Sequence, residues 1–506
     1  MPRRESRRFK IMKFFKFSLT TYLLLLIIVG AFVVRLYKID NPVADWHAWR
    51  QADTAAVARS FYKEGFNPFM PKYDDMSPVS EITPGKVNIE RHRMVEFPIY
   101  NSIVYFAYLL NGGVDERIAR LVSVLFSLGS LIFIYLITKK YAGALAGLCA
   151  AFFFGFIPFS IFFSRVILPE PALVFFSLGT LFFFDKWIWQ EKKSYYFLGM
   201  LFGMLALLIK PYAAFYGLPL IYSFIKKEGR IFPIPVKYFL VLPIFVPFAF
   251  WRLWISQFPE GIPASSWLLN GNGIRFRPAF WRWIVVDRFN REILSGIGMF
   301  LLGLGAVIKP SGKNGYFLHM ILLAMFAFLA VFATGNVQHD YYQTFIIPAL
   351  SIMVGVGFSY LLSGKVFLIP RLFSIPLVLF ITLLMFYFTW NEVKGLYQVN
   401  NGSHVNAGRR ADQILPQDAI VVAPNMGDTA FLYQVNRPGF PVITMDLSEM
   451  RKLYGVTHYV SVNYDNRTNW LMKKYTVMDK TEEFVIIDLT KESSMSAELG
   501  DKEPAN

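Results

Sequence analysis

The segment that decides the fold runs FSLTTYLLLLIIVGAFVV from Phe17 to Val34, and DWHAWRQADT follows from Asp45 to Thr54. The first stretch is apolar over enough residues to cross a bilayer core of roughly 30 Å, which takes about 20 residues of helix. The second stretch places two carboxylates, two indoles, an arginine and a histidine close behind that helix. Polar side chains this dense beside a membrane helix indicate a functional site at the membrane surface.

The composition extends this membrane character to most of the chain. Of 506 residues, 55% are hydrophobic and only 17% are charged, which is far more apolar than a soluble domain. Eleven apolar segments are long enough to predict membrane spans, and all of them precede residue 390. They lie near 17–35, 117–138, 142–163, 170–185, 195–209, 212–225, 237–255, 292–308, 315–334, 343–362 and 366–389.

The distribution of positive charge predicts the orientation in the membrane. Seven basic residues between Arg3 and Lys16 precede the first span, and the short loops expected on the same side carry most of the other loop lysines. The positive-inside rule therefore makes the N-terminus cytoplasmic, and an odd number of spans places the C-terminal part outside. We expect a multi-pass protein of the inner (plasma) membrane. Topology also explains the net charge of +16 without a nucleic-acid partner.

We predict a mainly helical, polytopic membrane protein in three regions. Residues 1–389 form the transmembrane domain, in which 36–116 is a long first outer (periplasmic) loop, residues 390–491 form a small α/β domain outside the membrane, and 492–506 is a polar, disordered tail. The expected elements are two interfacial helices near 52–63 and 97–110, buried strands near 419–423, 459–462 and 483–488, and helices near 429–434 and 448–454.

Polar residues that could carry chemistry gather at the outer ends of the predicted spans. They are Asp45, His47, Arg50, Asp53, Glu96, Arg165, Glu170, Lys210, His339, Asp340, Tyr341 and Tyr342. The spacing of histidines, cysteines and carboxylates is not typical of a zinc site, so we assign no metal ligands and no certain cofactor. Whether a divalent cation binds is left open by the sequence.

Several of these residues lie in motifs that together resemble a known family. The motifs are WRQADTAAVAR at 49–59, EFPIY at 96–100, RLVSVLFSLGSLIFIYLITKKYAG at 120–143, SRVILPE at 164–170, KP at 210–211 and HDYY at 339–342. In this order, the chain resembles the clan C (GT-C) membrane glycosyltransferases, namely the bacterial relatives of protein O-mannosyltransferases and of the lipid A aminoarabinose transferase. The resemblance covers about residues 1–390.

The resemblance implies transfer of a sugar from a polyprenyl-phosphate donor, such as an undecaprenyl phosphate sugar, to an acceptor on the outer face. The acceptor would be a hydroxyl or similar group of a lipid, a glycan or a protein, and direct displacement would invert the anomeric carbon. A hydroxyl is a poor nucleophile at neutral pH, so a carboxylate must take its proton. The competing interpretations are a lipid or sugar-lipid flippase without bond-making activity, and an inactive scaffold.

The resemblance leaves the identity of that base open. Relatives carry an adjacent Asp-Glu pair in the first outer loop, whereas here Arg50 and Gln51 lie nearest that position. Asp53 is favoured because it begins a helix, whose free amides and dipole keep a carboxylate ionised. Asp45 is the alternative. Glu170 matches a second acidic position of the family, where it would orient the acceptor, stabilise charge at the anomeric carbon or bind a cation.

The remaining predicted site residues would bind substrate. Lys210 matches a phosphate-contacting lysine of the family, and Arg165 could assist, because a guanidinium binds two phosphate oxygens. His339 and Tyr342 would form hydrogen bonds with sugar or phosphate. The other predicted substrate-binding residues are Glu96, Arg50, His47 and Tyr341.

Overall fold

The structure is a computed structural model that describes residues 18–78, 86–261, 266–308, 315–363, 371–494 and 503–504. The basic stretch before the first span lies outside the described residues, as do 495–502 and 505–506 of the predicted tail.

The part before residue 400 is helical, and each of the eleven predicted spans coincides with one helix or with two consecutive ones. The α-helices are α1 Leu19–Arg35, α2 Ala48–Glu64, α3 Ile99–Asn111, α4 Glu116–Ala142, α5 Ala144–Phe156, α6 Pro158–Phe163, α7 Glu170–Gln190, α8 Lys193–Ile209, α9 Gly217–Glu228, α10 Val246–Ile255, α11 Ser266–Asn270, α12 Pro278–Arg282, α13 Ser295–Val307, α14 Phe317–Val331, α15 Ala333–Gln338, α16 Ile347–Leu362 and α17 Arg371–Val393. Between them lie the 3-10 helices Pro211–Tyr216, Val236–Phe245, Gly271–Phe276 and Asp340–Phe345 and the π-helix Trp283–Leu294, and the 3-10 helix Lys394–Tyr397 follows α17.

Within the described residues, four helical stretches are long and apolar enough on their own to cross a membrane. They are the single helices Glu116–Ala142 and Glu170–Gln190 and two stretches in which consecutive helices are taken together, Val236–Ile255 and Ile375–Ile414. Five further apolar helices of 10–17 residues are Leu19–Arg35, Ala144–Phe156, Lys193–Ile209, Phe317–Val331 and Ile347–Leu362. Multiple crossings are therefore compatible with the helix lengths, while the number eleven stays a prediction.

A buried arginine closes a break within one predicted span. Helices α5 and α6 are separated at Ile157, because Pro158 has no N–H with which to continue the helix. Arg35, at the end of α1, is fully buried there and donates to the carbonyl oxygens of Gly155 at 2.7 Å and Phe154 at 3.3 Å. The end of α1 is thereby attached to the broken helix.

Glycines let α13 and α16 cross with their backbones in contact. A Cβ atom at Gly305 would lie 2.0 Å from the carbonyl oxygen of Met353, and one at Gly357 would lie 2.3 Å from that of Leu301. Close crossings through small residues gain van der Waals contact that larger side chains would prevent. These two positions therefore fix the distance between the helices.

The C-terminal part contains the predicted small α/β unit. Its elements are α18 Gly402–Ile414, β1 Val421–Val422, α19 Ala430–Val435, β2 Gly439–Phe440, α20 Leu447–Tyr454, β3 His458–Ser461, α21 Asn466–Lys474, β4 Tyr475–Lys480 and β5 Val485–Glu492. The strand order is β2-β1-β3-β5-β4, in which β1 runs parallel to both neighbours and β5 antiparallel to both of its own. The domain boundaries at 389 and 491 stay predictions.

The first loop is hydrogen-bonded to the edge of this sheet. The amide of Met76 donates to the carbonyl of Gly439 at 2.8 Å, and the amide of Gly439 donates to the carbonyl of Asp74 at 2.9 Å. These bonds continue the sheet beyond β2. The loop and the C-terminal unit therefore share backbone structure.

Two expectations require correction. Helix α2 does not lie along a surface, because every residue from Arg50 to Phe61 is buried inside the protein. The tail is not disordered where the structure describes it, since β5 continues to Glu492 and the carboxylate of Glu503 accepts from the amide of Leu447 at 2.8 Å. Helix α3, by contrast, exposes apolar side chains such as Leu110.

We expect Gly305→Ala to destabilise the protein by about 1–3 kcal/mol, since its methyl group would meet the backbone of α16. Gly303→Ala in the same helix is the matched control, because its Cβ has nothing within 4 Å. Thermal unfolding in detergent measures both. Equal melting temperatures for the two variants would contradict the close crossing.

Candidate functional site

Helix α2 positions the centre of the site. It begins after His47, whose backbone is in the left-handed region with φ 55°, and so turns sharply from the preceding segment. Arg50 and Asp53 are three residues apart and therefore share one face of the helix. Both are buried, so each must find partners inside the protein.

Arg50 finds its partner in Glu96, which precedes α3. The two form an ion pair, and the Nζ atom of Lys210 lies 3.8 Å from the second carboxylate oxygen of Glu96. Lys210 ends α8, and the amide of Phe97 donates to the carbonyl of Leu208 at 3.1 Å, which holds the two segments together. Two cations thus share one carboxylate. The motifs WRQ, EFP and KP predicted these three residues individually but not their pairing.

The charges of this group depend on one another. Burial alone would raise the pKa of the Glu96 carboxyl, but the neighbouring cations, first Arg50 and then Lys210, outweigh burial and hold that pKa at about 2. Burial likewise favours the neutral form of Arg50, whereas the Glu96 carboxylate raises the guanidinium pKa above its ordinary value. The pair is therefore ionised at neutral pH.

Glu170 brings a second carboxylate to the same place. It is the first residue of α7 and is 1% exposed, yet neither of its oxygens accepts a hydrogen bond from another described side chain. The positive charges of Lys210 and Arg50 act on it most strongly. The hydroxyl of Tyr212 is also buried and has no hydrogen-bond partner among the described residues. Buried polar groups left unpaired need an explanation, such as a catalytic role or a bound ion or water.

Aromatic rings form one wall beside these charges. The imidazole of His339 stacks on Tyr341, with centroids 5.3 Å apart, and lies 5.8 Å from the indole of Trp49. Tyr342 continues the wall towards Tyr212, with ring centroids 5.9 Å apart. His339, Tyr341 and Tyr342 are thus brought to the site, as the HDYY motif predicted.

His47 was predicted to bind substrate, but its partner in the structure is Asp340. Its Nε2 atom lies 2.5 Å from the carboxylate of Asp340, which also accepts from the indole N–H of Trp46 at 2.8 Å. This contact ties the start of α2 to the 3-10 helix Asp340–Phe345. Its geometry assigns His47 to holding α2 in place.

Asp45 and Arg165 lie in a separate, closed ion cluster. Arg165 donates to Asp45 at 2.8 Å, Arg120 lies 3.6 Å from the same oxygen, and all three side chains are completely buried. Gln51 donates to the other oxygen of Asp45 at 2.7 Å. A carboxylate enclosed by these partners fits a structural role better than that of a base, and Arg165 is not placed to contact phosphate.

Asp53 is engaged on both oxygens. The hydroxyl of Thr429, at the start of α19, donates to one oxygen at 2.7 Å, and Arg93 lies 3.0 Å from the other. The C-terminal unit therefore contacts the face of α2 that carries Arg50.

Two further features bear on ligands. Within the described ranges, no three or more His, Cys, Asp or Glu residues are grouped so as to hold a metal ion. An apolar cavity of about 570 Å³ lies between α7, α8, α9 and the 3-10 helix Val236–Phe245. Part of its lining, from Ala213 to Ile225 in α9, starts three residues beyond Lys210 in the sequence.

Some site residues had no place in the sequence prediction. Arg93 and Tyr212 lie only three and two residues from the predicted Glu96 and Lys210, so a wider window around each motif would have included them. Thr429 lies far from every motif, and no local pattern distinguishes it from other threonines.

Comparisons with known proteins agree with this geometry. The family model described as dolichyl-phosphate-mannose-protein mannosyltransferase matches residues 98–254, the part that contains Glu170 and Lys210. No curated protein sequence matches the chain.

Solved structures match the whole fold at low sequence identity. ArnT from Cupriavidus metallidurans bound to undecaprenyl phosphate aligns with a TM-score of 0.64 and 14% identity, over 93% of this chain and 98% of that one. The apo form of the Archaeoglobus fulgidus oligosaccharyltransferase aligns with a TM-score of 0.55 and 11% identity, over 89% and 70% of the two chains.

The protein therefore has the GT-C fold of membrane glycosyltransferases. Residues 98–254 resemble the dolichyl-phosphate-mannose-protein mannosyltransferase family, and the chain has a fold similar to that of ArnT along nearly its whole length. The resemblance predicted from the motifs is confirmed.

We expect stability to fall as pH is lowered from about 6.5 to 4, in part because of His339. Burial, assisted by His47 and nearby cations, lowers its pKa from 6.5 to about 4. The unfolded chain therefore takes up this proton in that window before the folded chain does, which favours unfolding. His339→Asn should lose less stability than the native chain over the same range, as measured by thermal unfolding. Parallel losses in both proteins would contradict this assignment.

Proposed function

We propose that this protein is a membrane glycosyltransferase that moves a sugar from a polyprenyl-phosphate donor to an acceptor hydroxyl or similar group at the outer face of the membrane. The observation that carries the proposal is Glu170, a buried carboxylate that accepts no hydrogen bond from the described side chains and is acted on by the charges of Lys210 and Arg50. The family relation supports the same reaction class.

Arg50 and Lys210 would bind the donor phosphate. Both lie against the carboxylate of Glu96, so the two cations are close enough to contact one anionic ligand together. Departure of the polyprenyl phosphate concentrates negative charge on its oxygens, and fixed cations stabilise that charge most in a site closed to water. Arg50 is suited to this role because a guanidinium can donate to two phosphate oxygens at once.

Glu170 would act as the base. It would accept the proton of the acceptor hydroxyl while the acceptor oxygen bonds to the anomeric carbon. The bond from that carbon to the phosphate oxygen breaks with its electron pair, and polyprenyl phosphate leaves. A single displacement inverts the anomeric carbon, and the proton on Glu170 passes to solvent after release of the product.

Asp53 is the competing candidate for the base. Its two oxygens are engaged by Thr429 and Arg93, whereas the oxygens of Glu170 are not engaged by other described side chains. A proton acceptor must be within hydrogen-bond reach of the substrate hydroxyl. Glu170 has this capacity without first breaking an existing ion pair, so we prefer it.

The apolar cavity would receive the first isoprene units of the donor. Its lining comes from four helices of the bundle and is almost entirely hydrophobic. Because each buried methylene contributes about 0.8 kcal/mol, a prenyl chain in this cavity would supply much of the binding free energy. Phosphate at Lys210 and prenyl chain beside α9 would then occupy neighbouring parts of one site.

We expect Glu170→Gln to lower kcat for sugar transfer by about 10²–10⁴-fold, because the amide cannot accept the proton. Asp53→Asn is the matched variant and should lose much less. The assay measures release of polyprenyl phosphate and formation of glycosylated acceptor by the purified protein in liposomes.

Both outcomes of that comparison are informative. Full activity of Glu170→Gln together with an inactive Asp53→Asn would transfer the role of base to Asp53. Movement of the lipid-linked donor across the liposome membrane without any release of polyprenyl phosphate would favour the flippase alternative over a transferase.

A second expectation concerns donor chain length. Ile221 lines the cavity on α9, roughly 15–20 Å along the chain from Lys210, and its side chain is 55% exposed. Ile221→Trp should therefore raise KM about tenfold for a long polyprenyl donor, while a ten-carbon prenyl donor that ends before Ile221 should be unaffected. Leu201→Trp, at a similarly exposed position of α8 outside the cavity lining, is the control. Equal effects on both donors would place the prenyl chain elsewhere.

A further inference from the structure

The C-terminal α/β unit contacts the site through one side chain. Thr429 follows the loop after β1 and directly precedes α19, and its hydroxyl donates to the Asp53 carboxylate on α2 at 2.7 Å. The same unit is fastened around that contact, since Arg59 donates to the carbonyl of Tyr433 at 3.0 Å and Gln434 donates to that of Val43 at 3.1 Å. The position of Thr429 relative to α2 is therefore well fixed.

Asp53 is a potential competitor of the donor phosphate. It lies one helical turn from Arg50 on the same face, and its negative charge acts on that guanidinium. If its carboxylate turned towards Arg50, it would neutralise a cation that the phosphate needs. At present one oxygen is held by Thr429 and the other by Arg93, whose positive charge also acts on Glu96.

We propose that Thr429 is a positioning residue through which the C-terminal unit restrains Asp53 and so keeps Arg50 available for the lipid phosphate. This inference rests on the proposed function for the identity of the ligand. It assigns to the C-terminal unit a direct part in binding the donor, beyond covering the helical bundle. Asp53 itself then acts on Arg50 and does not react.

The test is binding of undecaprenyl phosphate to the full-length protein in detergent, which requires no turnover. Thr429→Val removes the hydroxyl at nearly constant volume and should weaken binding about 3- to 10-fold, because a hydrogen bond to a charged group is lost. Thr429→Ser retains the hydroxyl and should bind like the native protein. Thr468→Val is the control, because it removes a buried hydrogen bond to Tyr459 within the same unit, away from α2.

A double variant separates restraint from general damage. In Thr429→Val with Asp53→Asn, the competing negative charge is gone, so affinity for undecaprenyl phosphate should return towards the native value. A purely structural role of Thr429 would leave the double variant as weak as Thr429→Val or weaker. Melting temperatures of all variants show whether they remain folded.

Three results would overturn the inference. The first is equal affinity of Thr429→Val and Thr468→Val for undecaprenyl phosphate, and the second is no recovery of affinity in the double variant. The third is a lower kcat of Thr429→Val with unchanged binding of the lipid, which would make Asp53 a reacting group. Failure of the proposed function has a different signature, because native protein would then bind undecaprenyl phosphate as expected but form no glycosylated product.

Discussion

The site depends on the placement of one carboxylate, Glu96, between Arg50 and Lys210. These residues come from three segments that are distant in sequence, and burying their charges would be unfavourable if any of them lacked a partner. The ion group therefore fixes α2, the start of α3 and the end of α8 relative to one another. Glu170 comes to this group from α7, and its oxygens accept no hydrogen bond from other described side chains. They are therefore able to accept one from a substrate.

Hydropathy and motif spacing predicted much of this fold. The apolar runs coincide with helices, and the apolar run at 483–488 predicted a strand that overlaps β5, because a buried strand differs sharply in composition from its polar surroundings. The location of α2 was wrong for a physical reason. A helix rich in alanine fits a membrane interface and a protein interior equally well, and its packing against α3 and the C-terminal unit decides between them.

The candidate site was predictable as a set of residues but not as a set of partners. The motifs brought Arg50, Glu170 and Lys210 to one place, as the structure also does. They could not distinguish Asp45 from Asp53, because Arg165 lies 120 residues from Asp45 and Thr429 lies 376 residues from Asp53. Side-chain contacts over such separations are set by the tertiary fold, which local spacing does not predict.

The backbone bonds between Met76, Asp74 and Gly439 have a consequence for biogenesis. The first loop emerges early in synthesis, whereas the strand that it completes follows more than 360 residues later. Chain segments fold in the order in which they are made, so these bonds cannot form until the C-terminal part of the chain has been synthesised. Assembly of the first loop is thus coupled to synthesis of the C-terminal part, and a nascent chain stalled before β2 would lack the backbone bonds between Gly439 and residues 74–76.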